Sequence, residues 1–192
     1  CAAKFPAIVS RFREHHPQVK LQITVGTPEE LIRMMEHDQL DIIYILDATR
    51  WSESWVKAME VAEPVVFVAS PAFWAQKYAE CEKNGTVKWS TKTVGQEEIS
   101  VRQITLDQIL QEPFFLTEKN ANYRQALDQH LASCRCCLSP VLEISDTAFI
   151  IQMLERNCGL SFLPLFAVQK QIWEGTLAAV EVDDVEISMY RQ

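Results

Sequence analysis

Apolar residues at Phe5, Ile8, Val9 and Phe12 recur at i, i+3, i+4 and i+7, which predicts a helix along the first segment. Pro17 stops it, because the residue before a proline is pushed out of the helical region. From Val19 to Val25 (VKLQITV) apolar and polar positions alternate strictly, so the spacing predicts a strand with one buried and one polar face. Gly26-Thr27-Pro28-Glu29-Glu30 then opens a second helix. Thr27 suits the N-cap, Pro28 suits the first helical position, and Glu30 completes a capping box. Leu31, Met34 and Met35 form the apolar face of that helix. Leu40 to Leu46 (LDIIYIL) is almost continuously apolar, as expected of a strand covered on both faces. Helix, strand, helix, strand with short turns is the order of βαβ units, which favours a parallel sheet.

A polar, tryptophan-containing stretch from Asp47 to Glu60 leads to another buried strand, Val65 to Val68. Ser70-Pro71 repeats the cap-then-proline start, and Phe73, Trp74, Lys77, Tyr78 and Cys81 continue as a helix towards Gly85. Residues 84–103 lack a period and read as an exposed excursion holding one short hairpin. The alternation of elements then resumes. Thr105 to Leu110 is a short capped helix and Phe114 to Leu116 a short strand. Tyr123 to Cys134 is a helix with Ala126, Leu127 and Leu131 inward. Val141 to Ile144 is a strand, and Ser145 caps a helix running to about Arg156. Asn157 stands where that helix turns into the strand Leu160 to Leu163, and asparagine tolerates the left-handed conformation such ends use. Gly175 plays the same part after Trp173, and Leu177 to Tyr190 finishes in extended segments.

Composition narrows the class. The chain has 192 residues, 48% of them hydrophobic, which is ample for a core, and no apolar run approaches the roughly 20 residues needed to cross a bilayer. Cys1 to Phe12 holds no long apolar stretch of signal-peptide type. The formal charge is −8, with 26 acidic against 18 basic residues, a surface that repels phosphate backbones. Six cysteines stand at 1, 81, 134, 136, 137 and 158. A chain with a normal core needs no disulfide staples, so the cysteines read as those of a reducing, cytoplasmic compartment.

Four stretches, in order, resemble the effector-binding domain of LysR-type transcription regulators. Phe5-Pro6 to Phe12 with His16-Pro17-Gln18-Val19 is similar to the family's "LP…F…yP.V" opening. Val25-Gly26-Thr27 through Leu40-Asp41-Ile42-Ile43 resembles its "v.G….L……G.LDiai" run. Ile104 to Ile109 with Glu112 to Leu116 resembles "isl.dL…pfil". Glu143-Ile144-Ser145-Asp146 followed by Asn157 to Pro164 (NCGLSFLP) is similar to "…d….mV..GlGisfLP". Asp38 and Asn157 depart from the family's usual glycines, and residues 71–103 replace a short "HPLA" segment with something longer. By this resemblance the family's first strand would precede Cys1, its last helix would follow Gln192, and the DNA-binding winged helix-turn-helix is absent from this chain.

The resemblance implies an α/β, type 2 periplasmic-binding-protein-like fold of two Rossmann-like lobes joined by two crossover segments. Residues 1–62, with 174–192 returning to them, would form lobe I and residues 63–173 lobe II. A small-molecule effector would lie in the cleft between the lobes. It also implies a homodimer or tetramer through residues 5–16 and 19–25, with DNA contacted only through the missing N-terminal domain and no membrane partner. Lys20, Gln22 and Thr24 would lie on the open side of the pairing edge.

Ligands of open α/β sheets bind beyond the carboxyl ends of strands, where helix N-termini receive anions. That points to the turns at Gly26-Thr27-Pro28, Thr117 to Asn122, Ser145 to Thr147 and Leu163-Pro164-Leu165. Thr27 is the first candidate, as a hydroxyl donor beside Pro28. The same Thr-Pro-Glu-Glu start is a complete capping device without a ligand, and the two roles can coexist. Thr117, Thr147 and Pro164 are further candidates. Phe115 and Phe149 could line an apolar wall, although periodicity places such residues in the core first. Glu118 and Asp146 would repel an anion and read as structural.

Cys134-Arg135-Cys136-Cys137 could respond to oxidation or, with Cys158 and His130, hold a soft metal. Its plainer reading is a helix end with small side chains, and His15-His16 suit a helix C-terminus as cations. No G-x-S-x-G elbow, phosphate loop, HExxH or zinc-type cysteine pairing occurs, so no catalytic residue, metal or cofactor is assigned. The expected function is effector sensing, with a transporter's solute-binding protein as the alternative. An enzyme on this fold would need turnover that disappears on replacement of Thr117 or Thr147.

Overall fold

The computed structural model describes residues 5–47, 54–83, 88–94, 97–183 and 185–192, with the backbone alone at 78–83, 88–94 and 97–103. Cys1, Gly85, the side chains of Tyr78 and Cys81, and residues 48–53 of the tryptophan-containing stretch lie outside that description. The elements run α1 (Phe5–His15), α2 (Pro28–Glu36), β1 (Leu46–Asp47), β2 (Val61–Ala69), α3 (Pro71–Lys83), β3 (Lys88–Val94) and β4 (Glu97–Ile104). They continue through α4 (Leu106–Ile109), β5 (Phe115–Leu116), α5 (Asn122–Ser133), β6 (Leu142–Glu143), α6 (Thr147–Glu155), β7 (Leu160–Pro164), α7 (Leu165–Trp173), β8 (Ala178–Val182) and β9 (Ser188–Arg191). The chain divides into two compact units, one holding the residues up to Ala62 with Met189–Gln192, the other Glu63–Ser188.

In the first unit β1 pairs antiparallel with β9, Leu46 opposite Arg191 and Asp47 opposite Tyr190. Ile45 and Gln192 extend the ladder by exchanging backbone bonds of 2.9 and 3.0 Å. Helix α2 carries the capping box expected of Thr27 and Glu30: Glu30 N–H donates to Thr27 Oγ1 and Thr27 N–H donates to Glu30 Oε2. Those bonds hold the exposed Glu30 carboxyl below its ordinary value. Two expected strands differ. Val19–Val25 is not a strand, and Leu21, Ile23 and Val25 are exposed, because no described residue supplies a ladder for that segment. Only Leu46 of the run from Leu40 enters a strand, and Ile42 is exposed. Neither α1 nor α2 has a buried residue.

The second unit holds the main core. Strand β2 is its spine, antiparallel to β7 on one side (Phe67 opposite Phe162) and to β8 on the other (Phe67 opposite Val180). Strand β8 pairs parallel with β4, which pairs antiparallel with β3 along its whole length. On the far side β5 pairs parallel with β6, and a parallel bridge from Phe114 to Leu160 ties β5 to β7. The sheet is therefore mixed, where the βαβ pattern predicts a parallel one. The hairpin expected within residues 84–103 is present as the β3–β4 pair, whereas the place of β8 in this unit escaped that pattern. With Ala179, Val180 and Val182 buried there, the chain returns to the first unit at Met189, not at Glu174.

Val66, Val68, Ile150, Leu154, Leu163, Leu165, Val168, Leu177 and Ala179 pack around Phe115 as one cluster. The burial of such side chains, each worth about 1.5–3 kcal/mol, fixes α6 and α7 on the sheet. Helix ends follow the sequence closely. Asp38, Asn157 and Gly175 all take positive φ, 54°, 62° and 73°. Asn157 also accepts a hydrogen bond from Ser70 Oγ, which in turn accepts the Phe73 N–H at the start of α3.

Candidate functional site

The four strand-to-helix turns differ in what already occupies them. At α2 the Thr27 hydroxyl and the Glu30 carboxylate satisfy each other's backbone, as above, and Thr27 is exposed with Pro28 half-buried. At α6 the cap is Asp146 rather than Ser145. Its Oδ1 accepts from Ala148 N–H at 2.9 Å and Phe149 N–H at 3.3 Å, so a carboxylate of the chain itself fills the place of an anion. At α7 Pro164 is buried and has no side-chain oxygen, and the carboxylate of Glu63 arrives instead, with Oε1 accepting the Phe166 N–H at 3.0 Å.

Helix α5 is the exception. Its N-cap is Ala121, whose methyl group can accept nothing, and no side-chain cap is made. Around this start stand the residues that bring two of the candidates together. Tyr123, in the first turn of α5, is flanked by the side chains of Thr117, at the end of β5, and Thr147, at the start of α6. Burial raises the phenol above its ordinary value of 10.0; the polar side chains of Thr117 and Thr147 beside it oppose the rise, and the charge of Glu118 adds to it. Thr117 itself is only 3% exposed, and its Oγ1 makes no hydrogen bond of normal geometry. A buried hydroxyl without a proper partner costs about 1–3 kcal/mol, which makes this position receptive to a ligand oxygen.

One residue beyond Tyr123 is a buried guanidinium. Arg124 Nε donates to Asp128 at 2.9 and 3.0 Å, and its Nη1 donates to Glu143 Oε2 at 3.3 Å and to the Thr117 carbonyl at 3.2 Å. It thereby fixes the backbone of Thr117. Sequence reasoning missed Arg124, although a signal was present: 124, 127 and 131 share the i, i+3, i+7 face, so an arginine occupies a core position. In the sequence Tyr123 marks only the start of this helix. Phe115 is 6% exposed and sits inside the core cluster rather than on a wall, whereas Phe149 is 40% exposed.

Comparison with known proteins supplies the class. The family model for the LysR substrate binding domain matches residues 1–82 and 97–191, and the chain belongs to that family. The unmatched segment between them contains β3, so the family-foreign part of the long excursion is its outer strand. Among curated relatives, the HTH-type transcriptional regulator YeiE of Escherichia coli is 22% identical over 92% of this chain and 52% of its own length. The HTH-type transcriptional activator CmpR of Synechocystis is 20% identical over 93% of this chain and 51% of its own. The chain thus spans about half the length of these relatives. The solved regulatory domain of Synechocystis CcmR, in complex with 2-PG, superposes with a TM-score of 0.64 at 14% identity, covering 98% of this chain and 80% of that one. The effector-binding domain of QuiR with shikimate gives 0.63 at 10% identity, covering 99% and 79%. The fold is the α/β, type 2 periplasmic-binding-protein-like fold of these domains. Among the described residues no helix is long and apolar enough to cross a membrane.

Proposed function

We propose that this chain is the effector-sensing part of a LysR-type transcription regulator, a cytoplasmic binding module rather than a catalyst. Its effector is a small anionic metabolite held at the start of α5. The observation that carries the site is the buried, poorly partnered Thr117 hydroxyl beside Tyr123 and Thr147, at a helix start whose capping residue is an alanine. Helix-terminal amides and the α5 dipole favour a carboxylate or phosphate group there, and three side-chain hydroxyls supply its hydrogen bonds. The two compact units are read as the family's two lobes. DNA contact belongs to the helix-turn-helix that the full-length relatives are named for.

The experiment is a thermal-shift screen of small carboxylates and phosphates, with 2-PG and shikimate as first probes. A ligand at about 100 times its Kd adds roughly 2.7 kcal/mol of stability. Thr117→Val and Tyr123→Phe are expected to abolish most of that increment while leaving the unliganded protein folded. A hit that stabilises Thr117→Val and Thr147→Val as well as the parent protein would show that the effector binds elsewhere.

Self-association follows from the same reading. Ile8, Phe12, Val19, Leu21, Ile23 and Val25 are all exposed on residues 5–25, an apolar surface that one copy of the chain leaves in water. Sedimentation velocity is expected to show a dimer at tens of micromolar, and Ile8→Asp with Phe12→Asp to return it to monomer. A parent protein that stays monomeric throughout that range contradicts the assignment.

A further inference from the structure

Three cysteines in four residues, Cys134, Cys136 and Cys137, occupy the loop that joins α5 to β6, and effector binding leaves them without a role. Their arrangement comes from the way α5 ends. Cys134 is the C-cap, Arg135 takes a positive φ of 58°, and two backbone bonds close the turn: Cys136 N–H to the Leu131 carbonyl at 2.8 Å and Arg135 N–H to the Ala132 carbonyl at 3.0 Å. These are the paired bonds of a Schellman helix end, which reverses the chain abruptly. The reversal separates the thiols. Cys136 and Cys137 line a cleft of about 460 Å³, whereas Cys134 does not, and its sulfur lies 3.9 Å from His130 Nε2. All three are free thiols, with Cys134 and Cys137 exposed.

The rest of the cleft is charged in both signs. Arg124 forms its floor, already bonded to Asp128 and Glu143, and those two acids are each 38% exposed, so both keep an outer face towards the cleft. Lys119 adds a cation at the rim. Among the described residues no three His, Cys, Asp or Glu side chains stand close enough to hold a metal ion, so the thiols are placed as nucleophiles rather than as ligands. A cavity of this size admits a small molecule. Carboxylates and a cation around a thiol suit a molecule that carries both an ammonium and a carboxylate group.

We propose that this cleft is a thiol-modification site, at which Cys137 exchanges with a small zwitterionic disulfide of the amino-acid or short-peptide type. The Cys137 thiol loses its proton to solvent, and its thiolate attacks one sulfur of the incoming disulfide. A bond forms between Cys137 Sγ and that sulfur, the original S–S bond breaks, and the other half departs as a thiolate that is reprotonated by water. The incoming disulfide is the oxidant, and its departing half is the reduced product. The ammonium group faces Asp128 and Glu143, and the carboxylate faces Lys119. The site does not depend on the effector reading.

Oxidised glutathione is the probe. The reduced protein is treated with a deficit of it, quenched in acid, and each adduct is located by peptide mass spectrometry. Cys134 is the internal control, exposed like Cys137 but outside the cleft. The glutathionyl group is expected on Cys137 in about fivefold preference over Cys134, the effect of one exposed ionic contact. That preference should fall towards unity with uncharged hydroxyethyl disulfide, and likewise in the Lys119→Ala, Asp128→Asn variant, in which Arg124 keeps Glu143 and far-ultraviolet circular dichroism verifies folding. Equal labelling of the two cysteines by glutathione overturns the proposal. So does an unchanged preference with the uncharged disulfide, which would mean accessibility alone, and so does an intrachain disulfide formed in place of the adduct.

Discussion

Replacing Gly159 with alanine is expected to destabilise the second unit by about 3 kcal/mol or more, the upper range for forced overpacking. A Cβ at this position would lie 2.2 Å from the Pro113 carbonyl oxygen and 2.9 Å from Cε2 of Phe115. The first contact is with backbone and cannot be relieved by a rotamer change. The same carbonyl accepts the Leu160 N–H at 3.0 Å, and the next residue along forms the Phe114–Leu160 bridge. Moving Pro113 away therefore loosens the join between β5 and β7. The glycine's φ of 158° adds strain for any L side chain. A thermal melt should fall by roughly 10 °C. A melting temperature within a degree or two of the parent's would mean that β5 and β7 are not held at this distance.

The second large effect is expected at Glu63. This carboxylate is 4% exposed and caps α7 across 103 positions of sequence by accepting the Phe166 N–H. Glu63→Ala leaves a buried amide without its acceptor and opens a cavity, a combined loss of about 2–4 kcal/mol. Glu63→Gln keeps an oxygen in place and is expected to lose about 1 kcal/mol, the charge-assisted part of the bond. Urea denaturation midpoints separate the two. Equal losses for the alanine and glutamine variants would show that the bond to Phe166 is not what makes this residue matter.

Glu63 also marks where sequence reasoning stops. The start of α2 was legible, because every part of the Thr27 capping box lies within four residues. The turn at Asn157 was legible for the same local reason. The turn at Pro164 reads as open to an anion from the sequence, because the Glu63 carboxylate that reaches it lies more than a hundred residues away and nothing near Pro164 announces it. Ser145 and Asp146 are both good caps in adjacent positions, and only the backbone decides between them. The strand expected at Val19–Val25 fails on different grounds: alternation records which faces want burial, not whether a neighbour exists to pair with. The family assignment was within reach because its motifs are local strings. The grouping of Thr117 and Thr147 was only half visible, since Tyr123, the side chain that joins them, has no motif. Arg124 was the missed clue, a cation on the apolar stripe of α5.

The two units differ in how the chain assembles them. Glu63–Ser188 is continuous, so every strand of its sheet has been synthesised before the polypeptide is finished. The ladder of β1 is another matter, because its partner β9 comes only after the whole of the second unit. During synthesis Leu46 and Asp47 must wait for Arg191 and Tyr190 while the later unit is made and folds. Closure of so long a loop is far easier once the intervening chain is compact, since its ends are then no longer those of a random coil. The earliest part of this chain to be made is thus completed last, when Met189–Gln192 join it after the second unit.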